Sequence, residues 1–451
     1  MNRRRILPTI FALVVPFLAA AQQPAPSDSL TRQLARMQRQ IDSLREVARR
    51  QDDRLIALDE RGGASRTSGD TSSRPLASAR GIYGKPFVRR FGSGTAVGGY
   101  ASTEFRSEYV NELHARRSVF DAHRVVPFIF SEITDRLHFG TEIEFEHGTR
   151  LEVVHGEAEG AGEVNLEFAT LDYRFTEALN LRAGVILSPI GRFNITHDDP
   201  VNELTDRPLV TQRVIPGTLG ETGVGFFGSL YPFEQALVTY EAYVVNGFTN
   251  DLTRIAPGEK RLNVHDAPGT RGADDASTKN FVGRLGVSPL LGVEIGVSAH
   301  VGPYGDGVEL PGAPSRNATI LAVDGSWRRG PLEVLGEGAR LRADLSDSLR
   351  TAGVSRGSAG YYLQGNYRFG QGWLAPKPTS TFTGVVRWDQ VNFATDVPGD
   401  TEQRLSLGLN WRPIGDAAFK SEYQWNWSTP SQSTVRGPAE RRVVFSLASY
   451  F

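Results

Sequence analysis

From about residue 97 to the end, apolar and polar positions alternate with a period of two, in segments that break and restart many times. Leu137, Phe139, Ile143 and Phe145 oppose His138, Glu142, Glu144 and Glu146. Val293, Ile295, Val297, Ala299 and Val301 oppose Glu294, Gly296, Ser298, His300 and Gly302. Leu405, Leu407, Leu409 and Trp411 oppose Ser406, Gly408, Asn410 and Arg412, and Phe419, Tyr423, Trp425 and Trp427 oppose Lys420, Glu422, Gln424 and Asn426. Such a period means strands with one apolar and one polar face. The connections alternate too. Thr134–Arg136, Thr176–Ala178 and Arg328–Pro331 are short, whereas Gly148–Gly162, Gly191–Thr218 and Thr249–Ser277 are long. Aromatic residues gather at strand ends, as at Tyr173, Phe175, Tyr367, Phe369, Trp411 and Tyr450. Short turns on one side, long loops on the other and aromatic girdles at both interfaces describe a transmembrane barrel. The chain is therefore expected to be all-β, with a transmembrane antiparallel β-barrel of about 16 strands over residues 81–451. At that width the lumen should hold a water-filled channel.

Two places resist a regular ladder. Pro127 lies inside VVPFIF and has no amide hydrogen to donate, so it should mark a bulge or the true start of its strand. Between Phe168 and Leu171 the apolar phase slips, which predicts a second bulge.

The first 80 residues read differently. Arg3–Arg5, the apolar run Ile6–Leu18 and the small residues Ala19–Ala21 form a secretory signal peptide over 1–21. In 22–60, Leu30, Leu34, Met37, Ile41, Leu44, Ala48, Gln51, Leu55 and Leu58 recur at spacings of four and three. That seam predicts a short coiled-coil helix, placed in the periplasm by the signal peptide and holding copies together as a homotrimer. Residues 61–80 are rich in Gly, Ser and Arg and read as a flexible linker.

Composition narrows the function. There is no cysteine, so thiolate metal sites and disulfides are excluded. The net charge of −1 gives no electrostatic case for nucleic acid as a partner. The eight histidines have no nucleophile-elbow Gly-x-Ser-x-Gly to accompany them, so the chain is not expected to be an enzyme. Neither a cofactor nor a metal is expected. His197-Asp198-Asp199 could offer oxygen and imidazole ligands, but the spacing is no recognised metal signature, and Asp-Asp-Pro opens turns.

The chemistry should lie in the connection after the fifth strand, Gly191–Thr218. A barrel this wide cannot select by diameter alone, so something must narrow it. This loop carries both signs of charge, in Arg192, His197, Asp198, Asp199, Glu203, Asp206, Arg207 and Arg213. Pro200, Pro208 and Pro216 stiffen it, and Phe193, Leu204, Leu209, Val210, Val214 and Ile215 give it apolar points to pack on an inner wall. These features predict a loop folded into the pore as its constriction. On the strands, Arg182, Arg284, Arg368 and Arg387 are expected on the pore wall among charges that solvate the lumen.

The chain ends on Phe451, with Phe445 and Leu447 in the same apolar phase. This ending resembles the assembly signal of outer-membrane proteins, which implies the barrel-assembly machinery and outer-membrane lipid as partners. The segment PIGRFN-x₃-DDP…TDRPLV and the layout of signal, short coiled coil, linker and barrel resemble the phosphate-selective porin O and P family and its uncharacterised relatives. The resemblance implies a porin in the outer membrane of a Gram-negative-type bacterium, a passive channel for small hydrophilic or anionic solutes such as phosphate or other oxyanions. That family uses an arginine ladder and clustered lysines. Here lysine is confined to Lys85, Lys260, Lys279, Lys377 and Lys420, which supports a porin rather than a phosphate channel. Two other readings compete: an outer-membrane enzyme, and a structural barrel anchoring a periplasmic coiled coil.

Removing residues 22–80 should leave a folded barrel but weaken the trimer, which native mass spectrometry of the truncated protein checks. An unchanged trimer would show that the seam is not what holds it.

Overall fold

The computed structural model describes residues 89–91 and 94–451, apart from 111–114, 149, 155–156, 234–235, 257, 270–277, 306–315 and 375–379. The expected signal peptide, coiled-coil helix and linker lie outside the described residues. Within them the chain forms nineteen strands. They are β1 (Arg89–Phe91), β2 (Thr95–Val110), β3 (Ala115–Glu132), β4 (Leu137–Glu146), β5 (Arg150–Val154), β6 (Glu157–Ala161), β7 (Val164–Arg174), β8 (Asn180–Leu187), β9 (Gly220–Phe233) and β10 (Ala236–Asn246). After them come β11 (Lys279–Leu290), β12 (Val293–Pro303), β13 (Asn317–Arg329), β14 (Leu332–Ala343), β15 (Gly357–Phe369), β16 (Thr381–Asn392), β17 (Thr401–Ile414), β18 (Ala417–Thr429) and β19 (Glu440–Tyr450).

Sixteen of these, β2–β4 and β7–β19, pair antiparallel with their neighbours in chain order. β19 pairs back onto β2, from Arg441↔Tyr109 to Tyr450↔Tyr100, and closes the barrel. β5 and β6 form a separate hairpin within the connection from β4 to β7. Closure leaves no open edge, so the backbone polar groups of the barrel wall can be satisfied without water, as a lipid environment demands.

The burial pattern is inside-out. On β12, Ile295 and Val297 are exposed while Ser298 and His300 are buried, and on β18 Phe419 is exposed while Lys420, Glu422 and Gln424 are buried. An apolar exterior around a polar interior is what alternation yields when the outer solvent is hydrocarbon. Aromatic clusters lie near the short turns, among them Tyr173–Phe175 at 4.9 Å and Trp411–Phe419 at 5.1 Å between ring centres. Trp388–Trp427 at 6.1 Å and Tyr423–Trp425 at 4.5 Å lie toward the opposite end.

Pro127 is neither a bulge nor a strand start. β3 runs through it, and Gly99↔Pro127 is a regular pair with β2. The ladder to β4 instead lapses between Val125↔Phe145 and Phe128↔Glu142 and resumes in the same register. A missing amide hydrogen is tolerated where no ladder bond is called for. No bulge lies between Phe168 and Leu171, where the β4 ladder is regular and Phe168 is simply an apolar side chain on the inner face; the extra residue comes just before, at Glu167, since the ladder passes from Glu142↔Phe168 to Ile143↔Leu166.

At the closing seam, Gly99 N–H donates to Phe451 O (3.2 Å) and Phe451 N–H donates to Gly99 O (2.9 Å). A Cβ on Gly99 would lie 2.5 Å from Val126 O and 2.6 Å from Phe451 Cζ. Only glycine allows the terminal ring to lie this close to β2 and β3. Gly99→Ala should therefore destabilise the barrel by about 1–3 kcal/mol, read as a lower urea midpoint in detergent. An unchanged midpoint would mean that the seam accommodates the methyl group.

Candidate functional site

The connection from β8 to β9 turns into the barrel rather than away from it. Gly191, at φ 71°, makes the turn, and a Cβ there would lie 2.2 Å from Glu337 Oε1. The glycine lets the backbone reach β14, where Arg192 N–H and Phe193 N–H both donate to Glu337 Oε2 (2.8 and 2.9 Å). A short 3-10 turn, Phe193–Ile195, follows. Asn194 clamps the two ends of the loop together. Its amide donates to Ser188 O (2.7 Å), and its carbonyl accepts from Leu219 N–H (3.1 Å). A single helical turn, α1 (Val210–Arg213), precedes β9.

The acidic middle of the loop meets a basic wall. Asp206 lies 2.7 Å from Arg106 of β2, 3.4 Å from Arg404 of β17 and 3.3 Å from Arg442 of β19, and accepts from Gln424 of β18 (2.7 Å). Burial pushes the Asp206 carboxyl up. The Arg106 and Arg404 guanidiniums more than reverse this, holding it well below the usual carboxylate range. Asp199 is 3.0 Å from Arg124 of β3, and Ser102 of β2 donates to it. Burial raises its carboxyl too, and Arg124, together with His123, Lys420 and the Ser102 hydrogen bond, outweighs burial and holds it low. Glu203 accepts from Asn410 (2.8 Å) and lies 3.2 Å from Arg412. Lys420 donates to Asp199 O (2.6 Å), and Arg387 donates to Asp206 O (2.9 Å).

The polarity reverses at the start of the loop, where basic Arg192 pairs with Glu294 of β12. The loop is thus tied to strands on opposite sides of the closed sheet, β12 and β14 at one place and β17–β19, β2 and β3 at another. Its apolar side chains pack inward as well: Phe193, Leu204, Leu209, Val210, Val214 and Ile215 are all buried. The last four share a cluster with Tyr243 and Val245 of β10 and with Phe248, Leu252, Leu262 and Val264 of the β10–β11 connection. That second inward-packed loop had no signal in the sequence beyond its length.

All eight residues expected at the constriction lie on this segment, but in different settings. Asp198 accepts from Tyr450 Oη (2.8 Å), and His197 is buried against Glu167 at 3.1 Å. Arg207 is largely buried, 3.8 Å from Glu144, so it does not stand free in water. Arg192 and Arg213 keep 24% and 49% of their side chains exposed and are the loop cations with most access to solvent.

The expected wall arginines are not solvating an open lumen. Arg182 holds Asp172 through two bonds (2.7 and 2.6 Å), Arg284 pairs with Asp324, and Arg387 pairs with Asp389 (2.9 Å). All three are buried. Arg368, the most exposed of the four, is 3.2 Å from Glu333. Neutralisation is the reason. With the lumen occupied by loops, a lone guanidinium would lose its hydration, so each one sits beside a carboxylate. The residues missed by sequence reasoning, Arg106, Arg124, Arg442, Asp389 and Glu167, lie on strands. The polar phase of the first four pointed inward, though nothing marked them as the loop's partners, whereas Glu167 faces inward only because of the bulge in β7.

Asp206→Ala should leave three guanidiniums without their shared carboxylate, a loss of about 3–5 kcal/mol for a buried pair. Hydrogen exchange in residues 191–218 should rise while the barrel strands stay protected. Unchanged exchange in the loop would show that its apolar packing alone holds it.

No family model matches the chain. It is 25% identical over 347 residues, 73% of this chain and 75% of the relative, to an uncharacterised protein of Aquifex aeolicus. Its fold resembles the anion-selective porin from Comamonas acidovorans, at a TM-score of 0.50 and 9% identity, covering 79% of this chain and 99% of that one. It likewise resembles the outer membrane channel DcaP of Acinetobacter baumannii, at 0.50 and 11%, covering 81% and 99%. The described residues therefore form a 16-stranded antiparallel barrel whose fold is similar to those of these two outer-membrane proteins.

Proposed function

We propose that the protein is a passive outer-membrane channel for small hydrophilic solutes, anions among them, and that Gly191–Thr218 is its constriction. One observation carries this reading: a mixed-charge loop lies inside the barrel and is bound by ion pairs to opposite walls. A loop held from both sides narrows the lumen permanently, and the charges it leaves in contact with water act on every passing ion. Acids and bases set on opposite sides of the narrowing create a transverse field that orients dipolar solutes. On the loop the solvent-accessible cations are Arg192 and Arg213, and Arg368 adds a third from the wall. Each lies beside a carboxylate, Glu294, Glu402 and Glu333, so the charge met by a passing solute is mixed and selects no particular ion. The fold is shared with channels, and the reading requires no catalytic step.

Planar-bilayer recording tests it. Deleting Asn202–Arg207 removes the Asp206 anchor and should raise single-channel conductance. Arg192→Glu with Arg213→Glu should move the reversal potential several-fold toward cations in permeability ratio. If both variants keep wild-type conductance and reversal potential, the loop is not the narrowest part of the path.

A further inference from the structure

Behind the loop, three side chains from three parts of the chain converge. Glu142 comes from β4, Glu167 from β7 and His197 from the loop, and all three are buried. One ligand atom from each lies within 4.8 Å of the others. We infer that Glu142, Glu167 and His197 form a binding site for a divalent first-row cation, of which Zn²⁺ is the test case, and that the cation clips the loop to the barrel wall. This site lies outside the sequence triplet His197-Asp198-Asp199, since only His197 is shared.

The orientation of His197 carries the argument. Its Nδ1 is 2.8 Å from Asn194 O, and a carbonyl oxygen can only accept, so Nδ1 bears the hydrogen. In the neutral ring Nε2 is then a lone pair. It faces Glu167 and is equidistant from both carboxylate oxygens, at 3.1 Å and 3.1 Å. Lone pairs set against a carboxylate need a positive charge between them, either a proton or a metal ion. Ring N–H to backbone carbonyl on one side and metal on the other is the usual arrangement for a ligating imidazole. The 3.1 Å separations approach the roughly 3.3 Å between neighbouring ligands of a tetrahedral ion with bonds near 2.0–2.1 Å.

The bulge supplies a second, independent observation. Thr170 and Asp172 of β7 are buried while Leu171 and Tyr173 are exposed, so strict alternation counted back would turn Glu167 toward lipid. The extra residue in the ladder turns its carboxylate inward to the cluster instead. Nearby Arg124 is shared among Glu144 (2.6 Å), Glu146 (2.7 Å) and Asp199 (3.0 Å). Two carboxylates and one neutral imidazole carry the charge that a divalent ion balances. One imidazole with two carboxylates suits Zn²⁺, Mn²⁺ or Fe²⁺.

The test reads metal content, so it stands or falls apart from the transport reading. The full-length chain is refolded into detergent with Zn²⁺, freed of unbound metal by gel filtration and analysed by mass spectrometry for zinc. Folding of each variant is checked by heat-modifiable migration. About one zinc per chain is expected, with retention at least tenfold lower in Glu167→Gln and His197→Gln. His147→Ala should retain zinc, because it disables only the separate, partly exposed group of Asp121, His123 and His147. Refolding with Co²⁺ should give the intense visible absorption of a four-coordinate site, so the wild-type chain alone remains informative if a variant fails to fold. Three results would overturn the proposal: no retained zinc; equal retention in the folded Glu167→Gln variant; or loss on His147→Ala.

Discussion

The interior of this barrel depends on the pairing of buried charges around Asp206. Arg106, Arg404 and Arg442 come from three strands and converge on a single loop carboxylate. Each guanidinium would be costly to desolvate alone, and so would the carboxylate. Once the loop lies inside, neither side can leave without exposing the other to an environment poor in water. This mutual dependence gives a segment with little regular secondary structure a defined position.

The barrel makes that pairing possible. Closure through β19 and β2 satisfies the backbone of the wall and leaves its inner face free to carry polar side chains. Sixteen strands enclose enough room for a loop, and the Asn194 clamp brings the loop's ends together so that it enters as a unit. Apolar contacts do the remaining work. Val210, Val214 and Ile215 share a cluster with Tyr243 and Phe248, so the loop is held by burial as well as by charge. The transport reading and the proposed cation clip both follow from this arrangement: the first uses the charges still in contact with water, the second those sealed behind the loop.

The interior also shows why charge on a lumen-facing strand is a poor guide to selectivity. Arg182 and Arg387 occupy inward positions, as their phase demands, yet both are sealed against carboxylates. Arg207, on the inserted loop itself, is turned toward Glu144. A side chain acts on a passing solute only where water still reaches it, and that depends on what packs over it.

Much of the fold was legible because its code is local. Alternation along β4, β12, β17 and β18 assigned each residue to lipid or lumen, since successive side chains on a strand point to opposite faces. Turn and loop lengths were legible for the same reason, whereas the irregularity of β7 lies at Glu167, ahead of the stretch from Phe168 to Leu171 where the apolar phase had suggested it. That Leu209, Val210 and Ile215 should pack on an inner wall could also be read from the loop's composition. What the tertiary structure alone decided were pairings between residues far apart in the chain: Asp206 with Arg106 and Arg442, Arg192 with Glu294, His197 with Glu167. The ladder gap that accommodates Pro127 belongs with them, because it depends on the register of β3 against β4. A periodic pattern records which face a side chain takes. Its partner across the lumen is set by barrel closure, strand register and the path of a loop, and none of these leaves a mark on the residues next to it in sequence.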